Sequence, residues 1–278
     1  MSRLISVLIP AHNEADYIGA CLRALYASDP LPQGMTAEVL VLANGCTDTT
    51  AEAARQVPPA AHWALQVLDL PEGGKLKALN AGDAIAQGDI LIYLDADVVV
   101  EPALISQIAV ALDSDEPIYA SGRPVVTTAE SWLTRAYGRF WQKLPFVAHG
   151  TPGFGLFAMT RAGRQRWHDW PDIISDDTFA RLNFSPLERR SVTGRYRWPM
   201  VEGLTNLVRV RRRQNVGVVE IETLFPKLLQ NDDKAGLSVG DLLRLAVRDP
   251  VGFGAYALVS LLVKTPLFNS TSRWVRGR

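Results

Sequence analysis

Four short apolar runs, at residues 4–9, 38–43, 63–68 and 89–94, alternate with segments whose apolar residues recur at helical spacing. Runs of that length suit strands buried on both faces, and the intervening helices are the crossovers that parallel strands require. The spacing therefore predicts an α/β protein with a mostly parallel central sheet. Asn13 is placed to cap a first helix carrying Ile18, Cys21, Leu22 and Leu25. A second helix is expected to begin near Thr47 and Asp48, and a third after Gly73 and Gly74, carrying Leu76, Leu79 and Ile85.

The fourth run, DILIYLDAD, passes directly into Asp95-Ala96-Asp97. Open α/β sheets bind ligands at the carboxyl ends of their strands. Two carboxylates one residue apart at such an end suit a hard divalent cation that also holds phosphate oxygens. The competing reading is a polar turn closing a strand.

With 29 basic and 29 acidic residues the formal charge is zero, so no global field recruits nucleic acid. Two cysteines are too few for a disulfide framework, and the four histidines lack metal-ligand spacing. The first ten residues enter a strand without a signal-like apolar segment, so a cytoplasmic location is expected.

Beyond residue 122 the alternation loosens, with a helix expected over 130–143, a strand over 154–160, a short helix from Asp176 to Leu182 and a helix over 203–215. Between residues 181 and 213 there are nine arginines against two acids, Glu188 and Glu202. A stretch from Asp241 to Arg248 is amphipathic, and the apolar run Val251–Val263 is too short to span a bilayer, which takes about 20 apolar residues. Lys264, Arg273, Arg276 and Arg278 follow it. A helix packed on the domain and an interfacial helix touching anionic lipid both satisfy this pattern.

Taken in order, strand-Pro10-Ala11-His12-Asn13-Glu14, strand-Asn44-Gly45-Cys46-Thr47-Asp48, Gly74-Lys75 with Ala78-Leu79-Asn80 and Gly82, Asp95-Ala96-Asp97, and Ser175-Asp176-Asp177 form a set that resembles family 2 glycosyltransferases of the GT-A fold. The resemblance covers residues 4 to about 217, and the order of the motifs makes it specific. It implies a Rossmann-like sheet flanked by helices, with residues 1–122 as a nucleotide-sugar-binding half and 123–217 as an acceptor-binding half, followed by a C-terminal helical extension over 218–278. It also implies inverting transfer of a sugar from a nucleoside diphosphate sugar, by default a UDP-sugar, to a hydroxyl of a saccharide or lipid-linked acceptor, with Mg²⁺ or Mn²⁺. Exopolysaccharide or cell-envelope assembly is the matching setting, at the inner face of a membrane if the tail is interfacial.

The resemblance assigns roles to residues. Pro10, Ala11, Asn13, Glu14, Asn44, Lys75, Asn80, Asp95 and Asp97 are expected on the donor, with Asp97 and Asp95 on the metal. Asn44 departs from the family's usual Asp by adding a donor and removing a charge. Gly82 is read either as a nucleotide contact or as a site of close helix–sheet packing. Inversion needs a base opposite the leaving group, and Asp177 is the candidate. Adjacent carboxylates on a helix diverge, so Asp176 is assigned to the acceptor with Gly153, Phe154 and Gly155. Phe154, Trp141, Trp167 and Trp170 are the aromatics that could stack on a pyranose, with core packing the default for each. The Gln-x-x-Arg-Trp signature of processive members is absent, since Val210, Arg213 and Gln214 stand in its place. Two alternatives are a sugar-1-phosphate nucleotidyltransferase, which would want a Gly-rich basic loop where this chain has PAHNE, and a non-catalytic sugar-nucleotide-binding protein.

Overall fold

A computed structural model describes residues 3–233 and 236–268. In chain order it contains β1 (Arg3–Ala11), α1 (Ala15–Tyr26), β2 (Met35–Asn44), α2 (Thr50–Arg55), β3 (Trp63–Leu70), α3 (Lys75–Ile85), β4 (Ile90–Leu94), β5 (Val99–Val100), α4 (Ala103–Ala111), β6 (Tyr119–Val126), α5 (Trp132–Trp141), α6 (Pro145–His149), β7 (Leu156–Thr160), α7 (Arg161–Arg164), α8 (Asp176–Leu182), β8 (Arg189–Trp198), α9 (Gly203–Leu224), α10 (Val239–Arg248) and α11 (Pro250–Val263). The strands form one sheet in the order β3-β2-β1-β4-β7-β6-β8-β5. β1, β2, β3 and β4 run parallel, and β7 turns antiparallel against β4.

After β1 the chain adds β2 and β3 on one side, then crosses to put β4 on the other. The reversal opens a crevice between the carboxyl ends of β1 and β4, the usual ligand position in such sheets. Along β1, Ile5, Val7 and Ile9 face one layer with Ile18, Leu22 and Ile108, while Leu8 faces the opposite layer with Leu42, Leu79 and Phe179. This two-residue alternation with apolar residues on both faces is what a central parallel strand requires. Gly82 serves the packing: a Cβ there would lie 2.7 Å from Leu42 Cδ1 and 2.9 Å from Leu8 Cδ2.

Two strands of the second half went unread in the sequence. β6 contains Gly122 and Pro124, both poor strand signals, and β8 reads RRSVTGRYRW, six of its ten residues arginine or exposed polar. The arginines do not form one patch. Arg181 pairs with Asp232 and Asp233, Arg189 pairs with Asp233 and donates to the Phe184 and Asn231 carbonyls, and Arg212 donates to the Leu262, Val263, Thr265 and Leu267 carbonyls.

The boundary expected at residue 217 falls inside α9, which continues to Leu224. α11 packs on the domain through Ala255 and Val259, against Tyr137 of α5 and Val208 of α9. Its two ends are tied down. Asp249 pairs with Arg139 and Lys143 and accepts the Gly252 N–H, a set that holds its carboxyl well below the usual range, and Arg212 donates to the carbonyls at the other end. α10 has no buried residue. Arg273, Arg276 and Arg278 lie outside the described residues, and no helix among the described residues is long and apolar enough to cross a membrane.

Candidate active site

The loops at the ends of β1 and β2 hold each other by side-chain to backbone bonds that the sequence reading assigned differently. Asn13, expected to cap α1, sits at φ 53° and accepts from the Thr47 N–H at 2.6 Å. The N-terminus of α1 is instead served from the second loop, where Thr50 accepts the Glu14 N–H at 2.7 Å and Asp48 the Ala15 N–H at 3.2 Å. The Asp48 side chain also accepts the Thr50 N–H, so α2 starts at Thr50 rather than near Thr47. Pro10 lines the central cavity, whereas Ala11 is buried.

Asn44, expected on the base or ribose, is 2 % exposed. Its amide donates to the Ala11 and Leu42 carbonyls, and its oxygen accepts the Gly74 N–H at 3.0 Å. A carboxylate could not donate to either carbonyl, which gives the departure from Asp a physical basis: this side chain braces the β1, β2 and β3–α3 loops against one another. Asn80 is likewise engaged away from the cleft, accepting the Trp170 N–H at 2.7 Å.

The central cavity, ≈ 160 Å³, lies at the β1/β4 crevice and is lined by Lys75, Asp95, Asp176 and Asp177 among others. Asp95 and Asp97 are half-exposed while Ala96 and Val98 between and beyond them are buried, and of the two acids Asp95 lines the cavity and Asp97 does not. Lys75, expected beside a diphosphate, bridges the cleft: its Nζ is 2.9 Å from Asp95 Oδ1 and 2.9 Å from Asp176 Oδ2. Burial alone would depress this ammonium, but Asp176 and Asp95 prevail and hold it above its ordinary pKa.

Asp176, expected on the acceptor, is 7 % exposed and pairs with that lysine. Asp177 lines the same cavity, so the two adjacent acids do not diverge to separate surroundings as a helix alone would suggest. They stand in the first turn of α8, and both line its wall of the cavity. Burial, then the Asp176 carboxylate, pushes Asp177 up to about 6, with Lys75 opposing.

Gly153 and Gly155, expected on the acceptor, line the cavity at φ 79° and 77°, backbone that disfavours side chains, and a Cβ on Gly153 would collide with the Tyr119 hydroxyl. Phe154 packs against Trp141 and Trp198 with ring centroids 5.1 and 5.0 Å apart. Trp170 belongs to the core with Tyr93, Phe157 and Phe179, and Trp167 packs on it. Trp198, Val210, Arg213 and Gln214 also line the cavity and were not anticipated as site residues. For three of them the signal was present, since Val210, Arg213 and Gln214 are the positions where the processive signature would fall. α9 reaches the site because Gly217 leaves no side chain against Ser175 and Ile174, just before the two acids.

The geometry suits a divalent cation in one respect: the two half-exposed acids at the end of β4 are oxygen donors of the kind such ions prefer. Among the described residues no three His, Cys, Asp or Glu side chains converge to hold a metal by themselves, so ligands from a bound diphosphate and water are needed to complete the shell.

A model of the family described as Glycosyl transferase family 2 matches residues 6–189. The probable glycosyltransferase YdaM of Bacillus subtilis is 29 % identical over 196 residues, covering 63 % of this chain and 44 % of that protein. The chain spans less than half the length of the curated relatives it matches first. Among solved structures, the mannosyltransferase PcManGT of Pyrobaculum calidifontis in complex with GDP-Man and Mn²⁺ aligns with a TM-score of 0.54 at 21 % identity, covering 95 % of this chain and 76 % of that one. Glucosyl-3-phosphoglycerate synthase of Mycobacterium tuberculosis in complex with Mn²⁺, UDP and glucosyl-3-phosphoglycerate aligns with a TM-score of 0.52 at 22 % identity, covering 84 % and 83 %. At such identities the likeness is one of fold, and that fold is GT-A.

Proposed function

The chain belongs to glycosyl transferase family 2, and from that premise we propose that it moves a sugar, with inversion, from a nucleoside diphosphate sugar to a hydroxyl of a saccharide or lipid-linked acceptor. The observation that carries this reading is the gathering of Asp95, Asp176, Asp177 and Lys75 on one cavity at the β1/β4 crevice. The nucleotidyltransferase alternative has no counterpart in the family match.

Asp177 takes the acceptor proton as the hydroxyl oxygen bonds to the anomeric carbon and the bond to the diphosphate breaks. Its raised pKa suits a base that must hold a proton and release it near neutrality. Lys75 keeps Asp95 and Asp176 in register across the cleft. Asp97 and Asp95 are the residues that would hold Mg²⁺ or Mn²⁺, which would neutralise charge on the departing diphosphate. Glycines 153 and 155 let the acceptor approach the backbone. Manganese and a nucleotide in both structural neighbours support the cofactor and donor class, with UDP the default base.

Calorimetric titration with UDP tests the donor side. Binding should be at least about tenfold tighter with Mn²⁺ or Mg²⁺ than with chelator, because two carboxylates and a diphosphate repel without a cation between them. Equal affinities would remove the metal from the reading.

The exposed face of α10 extends the proposal to location. Val239, Leu243 and Val247 are 75 %, 61 % and 82 % exposed at one-turn intervals, with exposed Arg244 and Arg248 beside them. Such a stripe suits the headgroup region of an anionic bilayer, and contact there would bring the enzyme beside lipid-linked acceptors. Changing all three residues to serine should abolish most co-sedimentation with phosphatidylglycerol vesicles while leaving the melting temperature in place. Unaltered co-sedimentation would refute the anchor.

A further inference from the structure

A second cavity, ≈ 50 Å³, adjoins the first and shares Trp198, Val210 and Gln214 with it. The two cavities therefore meet at those three side chains. α9 makes one wall: Leu207, Val210, Arg211 and Gln214 share a helix face, and Val210 and Gln214 stand at the junction. Opposite stand Tyr137 and Trp141 of α5 and Met200 from the β8–α9 connection. The same side chains belong to the apolar cluster that Ala255 and Val259 of α11 cover from behind.

An apolar pocket beside an acid-lined cavity is a place for a ligand group. A second observation points the same way. Tyr137 is 2 % exposed, and its hydroxyl has no hydrogen-bond partner among the described residues. Burial pushes it up to about 12, so it stays protonated and can donate. A buried hydroxyl of this kind normally has a partner, and a small turn of the Tyr137 side chain toward the cavity it lines would give it one from a ligand oxygen.

We propose that the acceptor is an amphiphile whose hydroxyl meets Asp177 while its apolar portion occupies the side cavity, with an adjoining oxygen on the Tyr137 hydroxyl. The inference rests on the glycosyl-transfer reading and narrows its acceptor from any saccharide to one with an apolar group close to the glycosylated hydroxyl. Both an alkyl lipid and an aryl aglycone have that chemistry.

The test titrates methyl, n-octyl and phenyl β-D-glucopyranoside, below micellar concentration, into the full chain with UDP and Mn²⁺. The octyl or the phenyl compound should bind at least about tenfold tighter than the methyl one, as expected for burial of a few carbons. Octyl alone favours a lipid source and phenyl alone an aryl one. Leu207→Trp fills the cavity and should bring the three within about twofold of one another. If that variant fails to fold, Val210→Trp, at the half-buried junction, should do the same. The α10 triple-serine variant should retain the preference. Equal binding of the three compounds by the native chain, a preference that survives the tryptophan variants, or its loss in the triple-serine variant overturns the proposal. Failure of UDP itself to bind would strike the glycosyl-transfer reading instead, so the two failures are separable.

Discussion

Asp177→Asn is expected to bind UDP and Mn²⁺ within about twofold of the native protein and to transfer sugar about 10²–10⁴-fold more slowly, the usual contribution of a positioned base. Asparagine keeps the shape and the bond from the Thr178 N–H but cannot accept the proton. The pH dependence follows from the same carboxyl. Because the base works ionised and its pKa stands at about 6, kcat/KM of the native enzyme should rise through that pH and level off above it. Stability runs the other way. A carboxyl whose pKa is raised on folding costs nothing below its unfolded value and its full penalty above the folded one, here above about pH 6. Asp177→Asn should therefore be more stable than the native chain at pH 8, by about 1–3 kcal/mol, and indistinguishable from it near pH 3.5. A variant that turns over normally would move the base elsewhere. One that melts identically at both pH values would contradict the buried setting.

Lys75→Met is expected to be more damaging to the fold. It removes the cation between Asp95 and Asp176, and Asp176 is then a buried carboxylate without its ion-pair partner. Breaking one side of a buried pair costs about 3–5 kcal/mol, and with the lysine side chain still partly in water roughly 2–4 kcal/mol is expected. For a chain of this size that is a fall in Tm of about 4–8 °C. Lys75 is also the cation that opposes the rise of Asp177, so the acid limb of the residual activity should move above pH 6. Tm and the pH profile are independent readouts. A stable variant with an unshifted profile would show that the lysine bridges nothing of consequence.

The first half of the fold was legible in the sequence because its signals are local. Apolar runs, a glycine pair before α3 and two acids closing β4 each report on a few neighbouring residues, and the elements form where those signals lie. What was not legible depends on partners distant along the chain. Asn13 reads as a cap for the helix that follows it, but its oxygen is taken by Thr47 of another loop. Asn44 and Asn80 read as ligand contacts, but backbone groups of Gly74 and Trp170 claim them first. Lys75 stands next to glycines that suggest a phosphate, while Asp176, which fixes its position, belongs to the other half. β8 was missed because an arginine-rich strand with one wet face has no apolar alternation to announce it.

Next to Arg213 on α9 stands Arg212, whose guanidinium donates to the carbonyls that end α11. Consecutive residues point to different sides of a helix, so the rod that walls the reaction chamber is also the mooring post of the tail. With no hinge between the two positions, a displacement of the end of α11 would turn the cavity wall with it.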